Sequence, residues 1–69
     1  MNSVTFRLLE VFKHVVENGS ITGASARLSL SQPTVSLQLK KLTEIYGMPL
    51  LETHHGTINL TDAGKAVYQ

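Results

Sequence analysis

The sequence predicts a mainly α-helical domain: three helices around one core, a small two-stranded hairpin, and the start of a further helix. Three observations carry that expectation. Apolar residues recur at helical spacing through residues 5–19 and 31–46. Residues that cap or end helices (Ser20, Ser31 and Thr61; Gly19 and Gly47) stand where those stretches need boundaries. Between them and the C-terminus, "LLETHHGTINL" has two short runs rich in Leu, Thr and Ile flanking His55-Gly56, the pattern of a hairpin.

The first helix lies in "TFRLLEVFKHVVENG". At about 100° per residue, Leu8, Leu9, Val15 and Val16 fall on the side of Phe12, and Arg7, Glu10, His14 and Glu17 take the opposite side. Ser3 or Thr5 can cap its start, and Asn18-Gly19 stops it. The second helix, in "SITGASARLSL", is short, with Ser20 or Thr22 as cap and Ala24 and Leu28 facing inward. Its small residues (Gly23, Ala24, Ser25, Ala26) predict that another helix crosses closely, since Gly23 would otherwise cost about 1 kcal/mol against alanine. Ser29-Leu30-Ser31 is too short a break to hold structure of its own.

The third helix is capped by Ser31, with Gln32 first and Pro33 second. Proline is harmless there because first-turn N–H groups have no intrahelical partner. Val35, Leu39, Leu42 and Tyr46 form its predicted buried stripe, Gly47 ends it, and Pro49 prevents its continuation. Thr61 then caps "DAGKAVYQ", a helix the chain leaves incomplete, as expected of a piece of a longer protein. The predicted division is residues 1–60 as one domain and 61–69 as the start of a linker helix.

Sixty-nine residues make one domain at most, and a chain of this size buries only about 60% of the surface its unfolded form exposes. Such a chain lacks the size to enclose an active site, and no Ser/His/Asp arrangement can be built from it, so an enzyme is not expected. No cysteine is present, no stretch approaches the roughly 20 apolar residues of a membrane span, and the N-terminus lacks signal-peptide order. A cytoplasmic protein without membrane association is the expectation. Net charge is only +1, but residues 18–43 carry Arg27, Lys40 and Lys41 and no acid, so the middle third is locally positive and suited to a polyanion.

Two helices joined by a three- or four-residue turn, followed by a hairpin, make a winged helix-turn-helix. Its second helix must fit a DNA major groove about 12 Å wide and offer its N-terminal half to base edges. The outward arc of residues 31–46 is Pro33, Ser36, Leu37 and Lys40, with Thr34 and Lys41 on a flank and Gln32 at the end. Glutamine pairs with adenine, serine is adaptable, lysines suit phosphates, and the free N–H groups of a helix N-terminus suit a phosphate as well. Leu37 is out of place on a solvated face; in a major groove it can lie against a thymine methyl. Ser31, Thr22, Arg27, His54 and His55 complete the set expected at the DNA, although Arg27 can instead pair with Glu44 or Glu52.

The chain resembles the N-terminal domain of LysR-type transcriptional regulators. The resemblance rests on Leu9 and Phe12, "GSITGAS" at residues 19–25, "LSLSQPTVSLQLKKL" at 28–42, Gly47 with "PLL", and "LTDAG" at 60–64. It spans essentially the whole chain. It implies sequence-specific binding of double-stranded DNA at an interrupted palindromic operator, with the helix of residues 31–46 in the major groove. It further implies a completed linker helix that forms a homo-oligomer and a C-terminal domain for a small-molecule effector, neither contained here. Departures are local: Leu37 stands where the family usually has arginine or another polar residue, and Leu42-Thr43 replaces Leu-Glu. In the wing, Leu50-Leu51-Glu52-Thr53 replaces Leu-Phe-x-Arg, and Thr57 stands at a frequently basic position.

Two further readings remain open on the residues. The domain could be a protein-interaction module with Leu37 in the interface, or it could belong to another winged-helix regulator class. No cofactor is expected. A structural metal is not expected either: His54 and His55, as neighbours on a strand, would point to opposite faces, and no cysteine or helical carboxylate partner accompanies them.

Overall fold

A computed structural model describes residues 6–55 and 57–69 of the chain. Its elements run α1 (Phe6–Asn18), α2 (Ile21–Leu28), α3 (Gln32–Tyr46), β1 (Leu51–His54), β2 (Thr57–Leu60) and α4 (Asp62–Tyr68). This is the winged helix-turn-helix arrangement expected from the sequence. The Ser3 or Thr5 cap proposed for α1 lies outside the described residues.

The core forms because α1 is apolar on two adjoining flanks. Leu8 and Phe12 pack with Leu42 of α3 and with Leu50, and the partly buried Leu60, Ala63 and Val67 close that cluster. Val11 and Val15 pack with Ala24 of α2 and Val35 of α3, flanked by Ile21, Leu28, Leu30 and Ile58. Val11 was not placed on the stripe centred on Phe12, yet it is fully buried. One helical stripe suffices for one neighbour; α1 is covered by α2, α3 and Ile58 on one flank and by α3, the wing root and α4 on the other, so its buried arc is wider. Truncating Phe12 to alanine would cost about 3–5 kcal/mol, comparable to the whole stability of roughly 3–10 kcal/mol expected for a domain this size.

Tyr46 departs from its expected place in the buried stripe of α3: it is 39% exposed, beside exposed Ile45 and Met48. Val35 and Leu42 are fully buried and Leu39 half-buried, so the stripe itself holds. The last turn of α3 runs past the residues that cover its earlier turns. Gly47, at φ 74°, then ends the helix with its N–H on the Thr43 carbonyl at 2.8 Å. Gly19, at φ 73°, ends α1 in the same manner.

Ser20, rather than Thr22, caps α2, accepting the Gly23 N–H at 2.9 Å. A methyl at Gly23 would meet Ser20 Oγ at 3.1 Å and Asn18 Cβ at 3.2 Å. Gly23 is therefore small because the α1–α2 corner is tight, whereas Ala24 and Ser25 are the residues buried by the close crossing. β1 and β2 pair antiparallel in the register Leu51↔Leu60, Glu52↔Asn59, Thr53↔Ile58 and His54↔Thr57. Leu51, Ile58 and Leu60 face the core and the alternate residues face out.

The root of the wing is joined to α4 by Thr61. Its hydroxyl donates to the Pro49 carbonyl at 2.7 Å and accepts the Gly64 N–H at 3.0 Å, and its own N–H reaches the Leu50 carbonyl at 3.1 Å. Gly64 is buried directly against the Leu50 carbonyl group. Further along α4, the Tyr68 ring meets Phe12 edge to face at 6.4 Å.

Candidate nucleic-acid interface

The turn between α2 and α3 has defined geometry despite its length. Ser29 takes the left-handed conformation at φ 58° and donates its N–H to Ala26, while the Leu30 N–H reaches the Ser25 carbonyl at 3.0 Å. These two bonds are the Schellman closure of a helix, here on serine instead of the usual glycine. Leu30, the residue after the turn, packs on the cluster containing Ala24, so the turn is fixed from both sides. Its rigidity sets the angle at which α3 leaves α2.

Ser31 then starts α3. Its hydroxyl accepts the Thr34 N–H at 3.2 Å and is hydrogen-bonded to the Thr34 hydroxyl at 2.8 Å. These bonds change the expected anion site. Pro33 has no N–H, that of Thr34 goes to Ser31 Oγ, and that of Val35 goes to the Ser31 carbonyl at 3.1 Å. Of the four N-terminal positions whose N–H lies outside the helix's own bonding, Ser31 to Thr34, only Ser31 and Gln32 keep an N–H for a phosphate. Ser31 and Thr34 are occupied chiefly in building the helix start, and Thr34 is half-buried.

The outer face of α3 is assembled as expected. Gln32, Pro33, Ser36, Leu37, Lys40 and Lys41 are all exposed, whereas Val35 and Leu42 on the opposite face are buried. Leu37 is 55% exposed, which leaves an apolar surface among polar neighbours. Thr22 and Arg27 are exposed on α2. The proposed pairing of Arg27 with Glu44 or Glu52 is not formed: among the described residues the one ion pair is Arg7–Glu10, at 4.0 Å on α1.

Between α3 and the wing runs an open groove of about 340 Å³. Ser36, Lys40 and Thr43 line one wall, Glu52 and Thr53 the other, and Leu39, Leu51 and Ile58 are among the residues of its apolar floor. Thr43 and Thr53 were not among the expected site residues. Two patterns could have found them: Thr43 follows Ser36 and Lys40 at helical spacing, and Thr53 shares the period-two face of Leu51.

The wing tip differs from its expected form. β1 ends at His54, and His55 occupies the turn with φ 54°. The left-handed backbone breaks strand alternation, so the two imidazoles do not diverge to opposite faces. Their ring centres lie 4.7 Å apart at 87°, and both residues are exposed, so neither packs on the inner face of the wing.

Residues 6–65 match the family described as bacterial regulatory helix-turn-helix protein, lysR family. The chain belongs to that family. It is 46% identical over 67 residues to the HTH-type transcriptional activator CmpR of Synechocystis sp., covering 97% of this chain and 22% of that protein. It is 35% identical over 69 residues to the transcriptional activator protein LysR of Escherichia coli, covering all of this chain and 22% of that one. The chain thus spans about a fifth of the length of these relatives. Among solved structures it resembles the CbnR DNA-binding domain in complex with DNA, with a TM-score of 0.88 at 40% identity, covering 94% of this chain and 75% of that one. It also resembles the BenM DNA-binding domain bound to catB site 1 DNA, with a TM-score of 0.90 at 36% identity, covering 96% and 74% of the respective chains. These LysR-family relatives are transcriptional regulators and their DNA-binding domains, not enzymes.

Proposed function

We propose that this LysR-family domain binds double-stranded DNA sequence-specifically, with α3 in the major groove and the wing beside it. The observation that carries the proposal is the division of α3 into two faces. One face is locked into the core through Val35 and Leu42, and the other offers Gln32, Ser36, Leu37 and Lys40 to solvent. Gln32 and Ser36 read base edges, Leu37 lies against a thymine methyl, and Lys40 and Lys41 hold phosphates. Ser31, Pro33 and Thr34 set the helix start at the groove, while Thr22, Arg27, His54 and His55 lie along the backbone at the periphery.

In this proposal the division into residues 1–60 and 61–69 corresponds to a DNA-binding unit followed by the start of a linker helix. The whole protein acts in the cytoplasm as a transcription regulator, forms a homo-oligomer through the completed linker, and binds an interrupted palindromic operator. Its small-molecule effector binds a C-terminal domain. Among the described residues no helix is long and apolar enough to cross a membrane.

Fluorescence anisotropy with a labelled mixed-sequence duplex tests the first step. Affinity should fall linearly as log salt rises, with a slope of about −0.9 for each phosphate neutralised. A protein-interaction module would show no binding even at low salt, and that result would reject the proposal.

A further inference from the structure

The wing tip carries a second chemistry. His54 and His55 are two of three histidines in the chain, and the left-handed turn brings their rings to 4.7 Å. Neither imidazole makes a hydrogen bond among the described residues, and both are open to solvent. We propose that His54 and His55 together form a binding site for one divalent ion of the borderline transition metals (nickel, copper or zinc).

The spacing fits such an ion. A metal about 2.1 Å from an imidazole nitrogen lies about 3.2 Å from the ring centre, so two rings sharing it at 90–109° have centres about 4.5–5.2 Å apart. The observed 4.7 Å falls inside that range. Two imidazole nitrogens select borderline transition-metal ions over magnesium or calcium, which prefer oxygen ligands. Glu52 stands two residues before His54 on the same outward face of β1, so a carboxylate adds negative potential beside the tip. Water fills the remaining coordination positions.

The consequence rests on the DNA-binding proposal. This wing has Thr53 and Thr57, with no arginine or lysine anywhere from Leu50 to Leu60. A bound dication supplies positive charge at that edge, and its open positions accept a phosphate oxygen from the DNA backbone. The metal site therefore takes over the phosphate contact that a basic wing residue would make.

Titration calorimetry of nickel chloride into the 69-residue protein tests the site without DNA. The expected result is one Ni²⁺ per chain, with affinity at least tenfold lower in His54→Gln and in His55→Gln and unchanged in His14→Gln. Magnesium chloride should give no binding, and circular dichroism should show the same helical spectrum for all variants. Absence of saturable nickel binding, or parental affinity retained by either wing variant, overturns the site. Anisotropy with duplex DNA then tests the bridge: nickel should tighten DNA binding at least threefold in the parent and not in the wing variants. An unchanged affinity in the parent overturns the bridge, whereas failure to bind DNA with or without nickel counts against the DNA-binding proposal and leaves the calorimetric result standing.

Discussion

Replacing Gly64 with alanine should destabilise the domain severely, although alanine is the better helix residue. The substitution gains about 1 kcal/mol in helix propensity. Against that, the added methyl overlaps the Leu50 carbonyl oxygen, lies 2.9 Å from the carbonyl carbon and comes within 3.0 Å of Leu60 Cδ2. The obstacle is backbone rather than the end of a flexible side chain, so α4 must move away. Overpacking of this kind costs about 1–3 kcal/mol. The shift also weakens the bonds from the Thr61 hydroxyl to Pro49 and from the Thr61 N–H to Leu50, at about 1 kcal/mol each. The net loss is therefore about 2–4 kcal/mol, and for a domain of this size the melting temperature should fall by about 10–30 °C. Thermal and urea unfolding followed by far-ultraviolet circular dichroism measures it. Gly23→Ala is the control: its methyl meets only side-chain atoms, at 3.1–3.4 Å, and should change stability by no more than about 1 kcal/mol. A Gly64→Ala protein melting within a few degrees of the parent would refute the close approach of α4 to the wing root.

Ser31→Ala removes the acceptor of the Thr34 N–H and should cost about 1 kcal/mol of stability in urea unfolding, because the serine is a helix cap whatever else it touches. Leu37→Arg should exchange a preference for thymine at the facing base pair for guanine nearby, read by selection from a random duplex pool; identical motifs for both proteins would reject the methyl contact. Lys40→Ala and Lys41→Ala should each flatten the salt slope of DNA binding by about one, measured by anisotropy between low and moderate salt.

Most of the fold was legible because its signals are local. Ser20, Ser31 and Thr61 cap the helices their positions predicted, and Gly19, Gly47 and His55 fall where the chain changes direction. What was not legible depends on contacts between elements. Val11 is buried because two partners flank α1, a fact periodicity along one helix does not contain. Tyr46 is exposed because α3 outlasts its cover. The outer face of α3 followed from helical spacing, so Pro33, Ser36, Leu37 and Lys40 stand where the pattern put them. The wing did not follow so simply. His55 has a backbone conformation that histidine adopts more readily than most residues, and nothing in strand alternation anticipates it. Likewise, the smaller number of free N–H groups at the start of α3 follows from Pro33, which has none, together with the Ser31 cap, which takes that of Thr34.

The central claim is that one face of α3 reads bases while its lysines grip the backbone. Affinities of Gln32→Ala, Ser36→Ala and Lys40→Ala, each measured on a selected duplex and on random-sequence duplex at one salt concentration, test it most directly. The account predicts that Gln32→Ala and Ser36→Ala each lose about 1–3 kcal/mol on the selected duplex and almost nothing on random DNA, while Lys40→Ala loses similar amounts on both. Equal losses on selected and random DNA for Gln32→Ala and Ser36→Ala would contradict it.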